Sequence, residues 1–109
     1  MVKYVYENDP ELLKPFFMVI EDVFTIKGRG TCVAGRIQTG RLCRGEIIEI
    51  SGQDGEPVQT RCAGLFTPGF VDCLEAGDNA GILLSDINLD QVARGMVVTK
   101  VDETSINIE

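Results

Sequence analysis

The stretch FFMVIEDVFTIKGRGTCVAGRI, Phe16 to Ile37, decides the fold class. It opens on aromatic and β-branched residues, the types that pack well on a pleated, half-buried surface. KGRG then supplies two glycines for a turn, and TCVAGRI resumes an extended, apolar-rich run. Downstream the same grammar repeats. QTG turns the chain, and GEIIEIS alternates so that Ile48 and Ile50 share one face with Glu49 between them. Asp54-Gly55 offers a further turn, and PVQTRCAG sets Val58, Thr60 and Cys62 against Gln59 and Arg61. A loop with Pro68 and Gly69 precedes two short apolar strands, AGILL and MVVTKV.

Short strands punctuated by turn signals every ~8–12 residues imply an all-β domain, either a small closed barrel or a sandwich. Glycines at 28, 30, 35, 40 and 45 suit coiled strands that bend at barrel corners. Helical signals are brief. Asp9-Pro10-Glu11 reads as the start of one or two turns that Pro15 blocks, so residues 1–14 form an N-terminal arm. NLDQVARG reads as one helical turn, capped by Asn88 and stopped by Gly95.

The 109 residues fit a single core. There is no apolar run of membrane-spanning length and no secretion signal at the start, so the expected compartment is the cytoplasm. A net charge of −7 argues against a general nucleic-acid coat, which needs a broad basic face. The charge is nevertheless segregated. Lys27, Arg29, Arg36, Arg41 and Arg44 are five of the ten cations and follow one another without an intervening acid. This stripe is either a solvated face balanced by acids from elsewhere or a surface for phosphate.

Cys32, Cys43, Cys62 and Cys73 show no paired spacing, and histidine is absent, so neither a zinc site nor any other metal is expected. Without a secretion signal the cysteines are expected to be reduced, with Cys32 and Cys62 as small core residues. GRGTCV begins like a dinucleotide fingerprint but enters a strand rather than a helix, and no GxxxxGK[ST] loop exists. No cofactor is expected, and direct GTP binding by this chain is not expected either. With no histidine base and no nucleophile constellation, catalysis is not expected.

Glu21 and Asp22 are adjacent, and neighbours on a strand point to opposite faces, so they do not converge on a substrate as an acid/base pair. Each is either a solvated carboxylate or a hydrogen-bond acceptor for a hydroxyl or amine. Phe24 and Ile26 share the face of Asp22 by period two, as core or as walls of a shallow pocket.

The motifs IEDVF, GRGTxVxGR, Gly40-x-Leu42-x-x-Gly45-Glu46, AGDNAGILL (Ala76–Leu84) and ARGMVV (Ala93–Val98) occur in one order and spacing. Together they resemble the second domain of elongation factor Tu and related translational GTPases, over roughly four-fifths of the chain. The resemblance implies a small closed antiparallel β-barrel of the translation-factor domain II type over 15–101, with 102–109 as a C-terminal tail. It implies contact with the 3′ end of aminoacyl-tRNA or with another translation component. Glu21 matches the acid that meets the terminal ribose; Ile26, Gly28 and Leu83 match walls of the terminal adenine pocket. Asp22, Phe24 and Asn79 match the side that holds the esterified amino acid.

Two departures stand out. Cys32 and Ala34 occupy positions where the family usually carries valine and threonine, and the 64–76 segment is rewritten as GLFTPGFVDCLEA. The acidic charge, Ala34 and the altered loop suit an alternative, a protein-interaction module that kept the barrel without RNA binding. The start MVKYVYEND and the tail DETSINIE read as those of a stand-alone product; the other reading is an excised part of a longer translational GTPase.

Overall fold

Period-two alternation builds the core. Ile48 and Ile50 are fully buried while Glu49 between them is only half-buried, as the pattern GEIIEIS predicts. A computed structural model describes residues 14–52 and 55–101. The N-terminal arm before Lys14, its helical start at Asp9–Glu11, the Asp54 half of the Asp54-Gly55 turn and the 102–109 tail lie outside the described residues.

The described residues form ten strands: β1 (Phe17–Val19), β2 (Asp22–Ile26), β3 (Gly30–Thr39), β4 (Arg41–Cys43), β5 (Ile47–Ser51), β6 (Val58–Phe66), β7 (Phe70–Val71), β8 (Cys73–Glu75), β9 (Asn79–Leu84) and β10 (Val97–Lys100). Strands β1, β10, β5, β6, β9 and β3 pair in that order, all antiparallel, and β1 also pairs with β3. That last pairing closes the barrel. It decides between barrel and sandwich in favour of the closed form, which leaves no open edge along the ring.

The opening stretch is not one strand. β1 ends at Val19, and β2 starts at Asp22 and pairs with the first half of β3 (Asp22 opposite Ala34, Ile26 opposite Gly30). Between them Ile20 leaves the ladder: its N–H donates to Met96 O at 2.8 Å, and its carbonyl accepts from Gly95 N–H at 2.8 Å. β3 is therefore shared end to end, β1 on its second half and β2 on its first. One residue of β3 is bulged where Met18 and Phe17 face Ile37 and Thr39.

Met18, Ile20, Val33, Ile37, Leu65, Ile82 and Val98 fill the interior, each at most 1% exposed. Cys62 joins them, and burial pushes its thiol up to about 11. Burial also raises Cys32. A thiol whose folded pKa is raised stabilises the fold fully below its unfolded value of about 9, and that stability is lost as pH rises through about 11. Unfolding free energy between pH 9 and 11 is expected to fall by up to about 2 kcal/mol more in the wild type than in Cys62→Ala. Parallel pH profiles of the two proteins in urea would contradict this.

Two sequence expectations need correction. The 66–76 segment is not a plain loop: it holds β7, a two-residue strand paired with the end of β6, and β8, which pairs with β4 in a separate two-stranded sheet. The cysteines are not all reduced. Cys43 and Cys73, register partners in that small sheet, form a disulfide, while Cys32 and Cys62 are free and buried. The expectation rested on compartment, whereas the pairing is set by the β4–β8 register, which spacing along the chain does not reveal. NLDQVARG gives a single 3₁₀ turn, Leu89–Gln91, with Gln91 Oε1 accepting from Asn88 N–H at 2.8 Å. It ends at Val92, before Gly95.

Candidate ligand-binding site

Strand alternation also governs what lies outside the barrel. On β9, Ala80, Ile82 and Leu84 face the core, so Gly81 and Leu83 face outward. On β2, Val23 packs against the core, which turns Asp22, Phe24 and Ile26 to the other face. A second apolar layer forms there. The Phe24 and Phe66 rings meet edge to face at 6.4 Å, and Phe66 and Phe70 at 5.5 Å. The guanidinium of Arg29 stands 4.7 Å from the Phe70 centroid, within cation–π range.

Gly81 makes this layer possible. A Cβ built there would meet the Phe66 ring at 2.3 Å, so the ring lies where any other side chain would project. Phe70 in turn packs over Gly64: a Cβ there would sit 3.4 Å from the Phe70 ring and 3.6 Å from the Leu83 side chain. Leu83, opposite Gly64 on the neighbouring strand, is only 7% exposed.

The β6–β7 turn, which contains a cis Thr67–Pro68 peptide, overhangs one pocket of about 400 Å³. Glu21, Ala34, Asn79, Gly81 and Phe66 line it with that turn. Glu21 is placed by its N–H, which donates to Ala34 O at 2.8 Å across the strand break. Asn79 begins β9, opposite Arg36. The pocket thus brings together a carboxylate residue, an amide residue and an aromatic ring. A second pocket, of about 370 Å³, lies across the Phe66–Phe70 pair and is lined by Arg29, Arg44, Leu65, Phe70 and Asp72 among others.

Of the residues proposed from sequence, Glu21 and Asn79 come together in the first pocket. Asp22 does not line it; its Oδ1 accepts from Val23 N–H at 3.0 Å. Phe24 supports Phe66 from the side. Ile26 is half-buried, Gly28 sits in the exposed β2–β3 turn at φ +81°, and Leu83 is covered. None of these three lines either pocket.

The basic stripe also divides. Arg29 and Arg44 share the second pocket, Arg36 stands beside Asn79, and Lys27 is exposed in the turn. Arg41 lies on β4, where its carbonyl accepts from Lys100 Nζ at 2.8 Å. Phe66, Phe70 and Gly81 were not singled out from sequence. The available signal was the pair of phenylalanines flanking the Pro-Gly turn, both on a segment that departs from the family pattern. Among the described residues no group of three or more Cys, Asp and Glu is arranged to hold a metal ion. Nor is any described helix long and apolar enough to cross a membrane.

The ring is closed and six-stranded, and its pockets lie on the outer face, between a strand break and a hairpin turn. The family model described as elongation factor Tu domain 2 matches residues 30–99, well over half of the chain. The chain belongs to the elongation factor Tu domain 2 family.

Proposed function

We propose that the chain is a non-catalytic binding module, working in the cytoplasm, that takes the acylated 3′ end of an RNA into the pocket beneath the β6–β7 turn. The observation that carries this reading is the convergence of Glu21 and Asn79 on one cavity floored by Gly81 and walled by Phe66. A carboxylate accepts from a ribose hydroxyl or an α-amino group, an amide can both donate and accept, and the ring encloses an apolar side chain or stacks on a base. Ala34, smaller than the family's usual residue, leaves that wall open.

Leu83 is only 7% exposed, so little of the apolar face that the resemblance assigns to the terminal adenine is open. On this reading the acyl end contributes more of the recognition than the base does. Affinity for a short aminoacylated RNA mimic is expected on the order of 0.1–1 mM, since a single surface makes the contact. In an NMR titration the amides of Glu21, Asn79 and Gly81 should shift, and Glu21→Gln or Asn79→Ala should each weaken binding about fivefold. Silence at these positions at millimolar ligand would refute the proposal.

Phe70 and Val71, 55% and 37% exposed, favour a second reading as a protein-interaction module. On that reading the RNA mimic produces no shifts and Phe70→Ser abolishes partner binding.

A further inference from the structure

The Cys43–Cys73 bond lies off the closed ring, in the two-stranded β4–β8 sheet. Leu42 and Leu74, register partners in that sheet, are buried, so alternation turns their neighbours Cys43 and Cys73 outward. Both cysteines are half-buried, and Arg44 and Asp72 beside them are exposed. Cys32 and Cys62 show no exposure, and burial raises both thiols above their ordinary value. They are neither reachable nor ionised enough to exchange with the outer pair. One pair of sulfurs therefore stands where a reagent reaches it.

The bond also anchors a pocket wall. From Cys73 the chain runs back through Asp72 to Val71 and Phe70, which pair with Leu65 and Phe66. Phe66, Thr67 and Pro68 wall the pocket that Glu21 and Asn79 line. Beside the bond, the Asp72 carbonyl accepts from Arg44 N–H at 2.8 Å, and Ala76 N–H donates to the Gly40 carbonyl at 2.9 Å. The Arg44–Asp72 ion pair, at 3.5 Å, joins two exposed side chains and adds little.

We propose that Cys43–Cys73 is a thiol–disulfide switch: oxidised, it fixes the Phe66–Pro68 wall over the acyl pocket; reduced, it frees the wall and weakens binding there. The binding half rests on the reading proposed above. So does the cytoplasmic setting, where lasting disulfides are rare and those that form are mostly catalytic or redox-sensing. The reductant is a dithiol. One of its thiolates attacks a sulfur of the pair, the Cys43–Cys73 bond breaks as a mixed disulfide forms, and the released cysteine thiolate takes a proton from water. The second thiol then displaces the remaining cysteine, so the protein gains two electrons and two protons and the dithiol leaves as its own disulfide. Oxidised glutathione reverses the change, re-forming the bond and leaving as two molecules of glutathione.

The test starts from the oxidised full chain in buffer without denaturant. Dithiothreitol should release two thiols that a maleimide labels, mapped to Cys43 and Cys73, while Cys32 and Cys62 stay unlabelled. Reduction should lower the backbone heteronuclear NOE at Asp72 and Ala76 and leave Ile20, bonded to Met96 in the ring, unchanged. The reduced protein should bind the aminoacylated RNA mimic about three- to fivefold more weakly, and oxidised glutathione should restore the first affinity. A variant carrying both Cys43→Ser and Cys73→Ser should match the reduced wild type and respond to neither reagent. If it does not fold, the reduced wild type carries the comparison.

A bond that opens only in urea, an unchanged NOE at Asp72 and Ala76, or equal affinity of the two forms would overturn the switch. A mimic that binds neither form would refute the acyl reading instead, with labelling and NOE still deciding the switch.

Discussion

Gly40→Ala is expected to cost about 3 kcal/mol or more of folding stability and to lower Tm by at least about 10 °C. Two separate penalties meet at this residue. Gly40 has φ +77°, a region that costs an alanine about 1–2 kcal/mol. The added Cβ would also lie 2.5 Å from the Phe16 Cα and 2.8 Å from the Lys14 carbonyl oxygen. Those atoms are backbone, so no rotamer change relieves the overlap, and overpacking of this kind adds about 1–3 kcal/mol. The damage should spread to the small β4–β8 sheet, because the Gly40 carbonyl accepts from Ala76 N–H at 2.9 Å.

Gly28→Ala isolates the first penalty. Gly28 has nearly the same φ, +81°, with nothing within 4 Å of the missing Cβ, so only about 1–2 kcal/mol should be lost. Urea unfolding of both variants separates the terms. Equal losses would mean that the Phe16 backbone moves freely, contrary to the burial of its side chain at 2% exposure.

How far the sequence carried the reading follows from the range of each signal. Alternation in GEIIEIS and the glycine-punctuated strands are local, and Ile48, Ile50, Val33 and Ile37 lie in the core as the pattern requires. Closure of the ring is not local. It depends on β1 finding β10, a contact across most of the chain, as well as β3, and the linked family motifs supplied that expectation where periodicity could not. The site was legible in part for the same reason. Glu21 and Asn79 sit on elements that keep the family pattern, whereas Phe66, Thr67 and Pro68 come from the rewritten segment. Nothing in GLFTPGF announces that the Phe66 ring will lie on Gly81, fifteen positions further on, or that Phe70 will pack over Gly64. The basic stripe misled by its continuity. β3 carries Arg36 along one strand of the ring, while turns on either side take Arg29 and Arg44 to a common pocket.

Reduction of the Cys43–Cys73 bond is expected to remove about 3–4 kcal/mol of stability, an effect on the scale of Gly40→Ala but acting chiefly through the unfolded chain. The two cysteines are separated by 30 positions, and opening a loop of that length restores this much chain entropy in the denatured state on the loop-closure account. The native barrel loses little by comparison. Its ring is closed by β1 through β10 and β3, neither of which belongs to the β4–β8 sheet. Reduced protein should therefore unfold at lower urea while keeping its far-ultraviolet spectrum in buffer, and the denaturant slope should rise as the open chain exposes more surface.

Thiol counting fixes the starting state. Unreduced protein unfolded in urea should titrate two thiols, Cys32 and Cys62, and the reduced protein four. Four thiols without reduction would remove the bond from the account. Two thiols with an unchanged urea midpoint after reduction would instead show that the three residue pairs of β4 and β8 hold the segment without it, leaving Arg44 and Asp72 in place by backbone pairing alone.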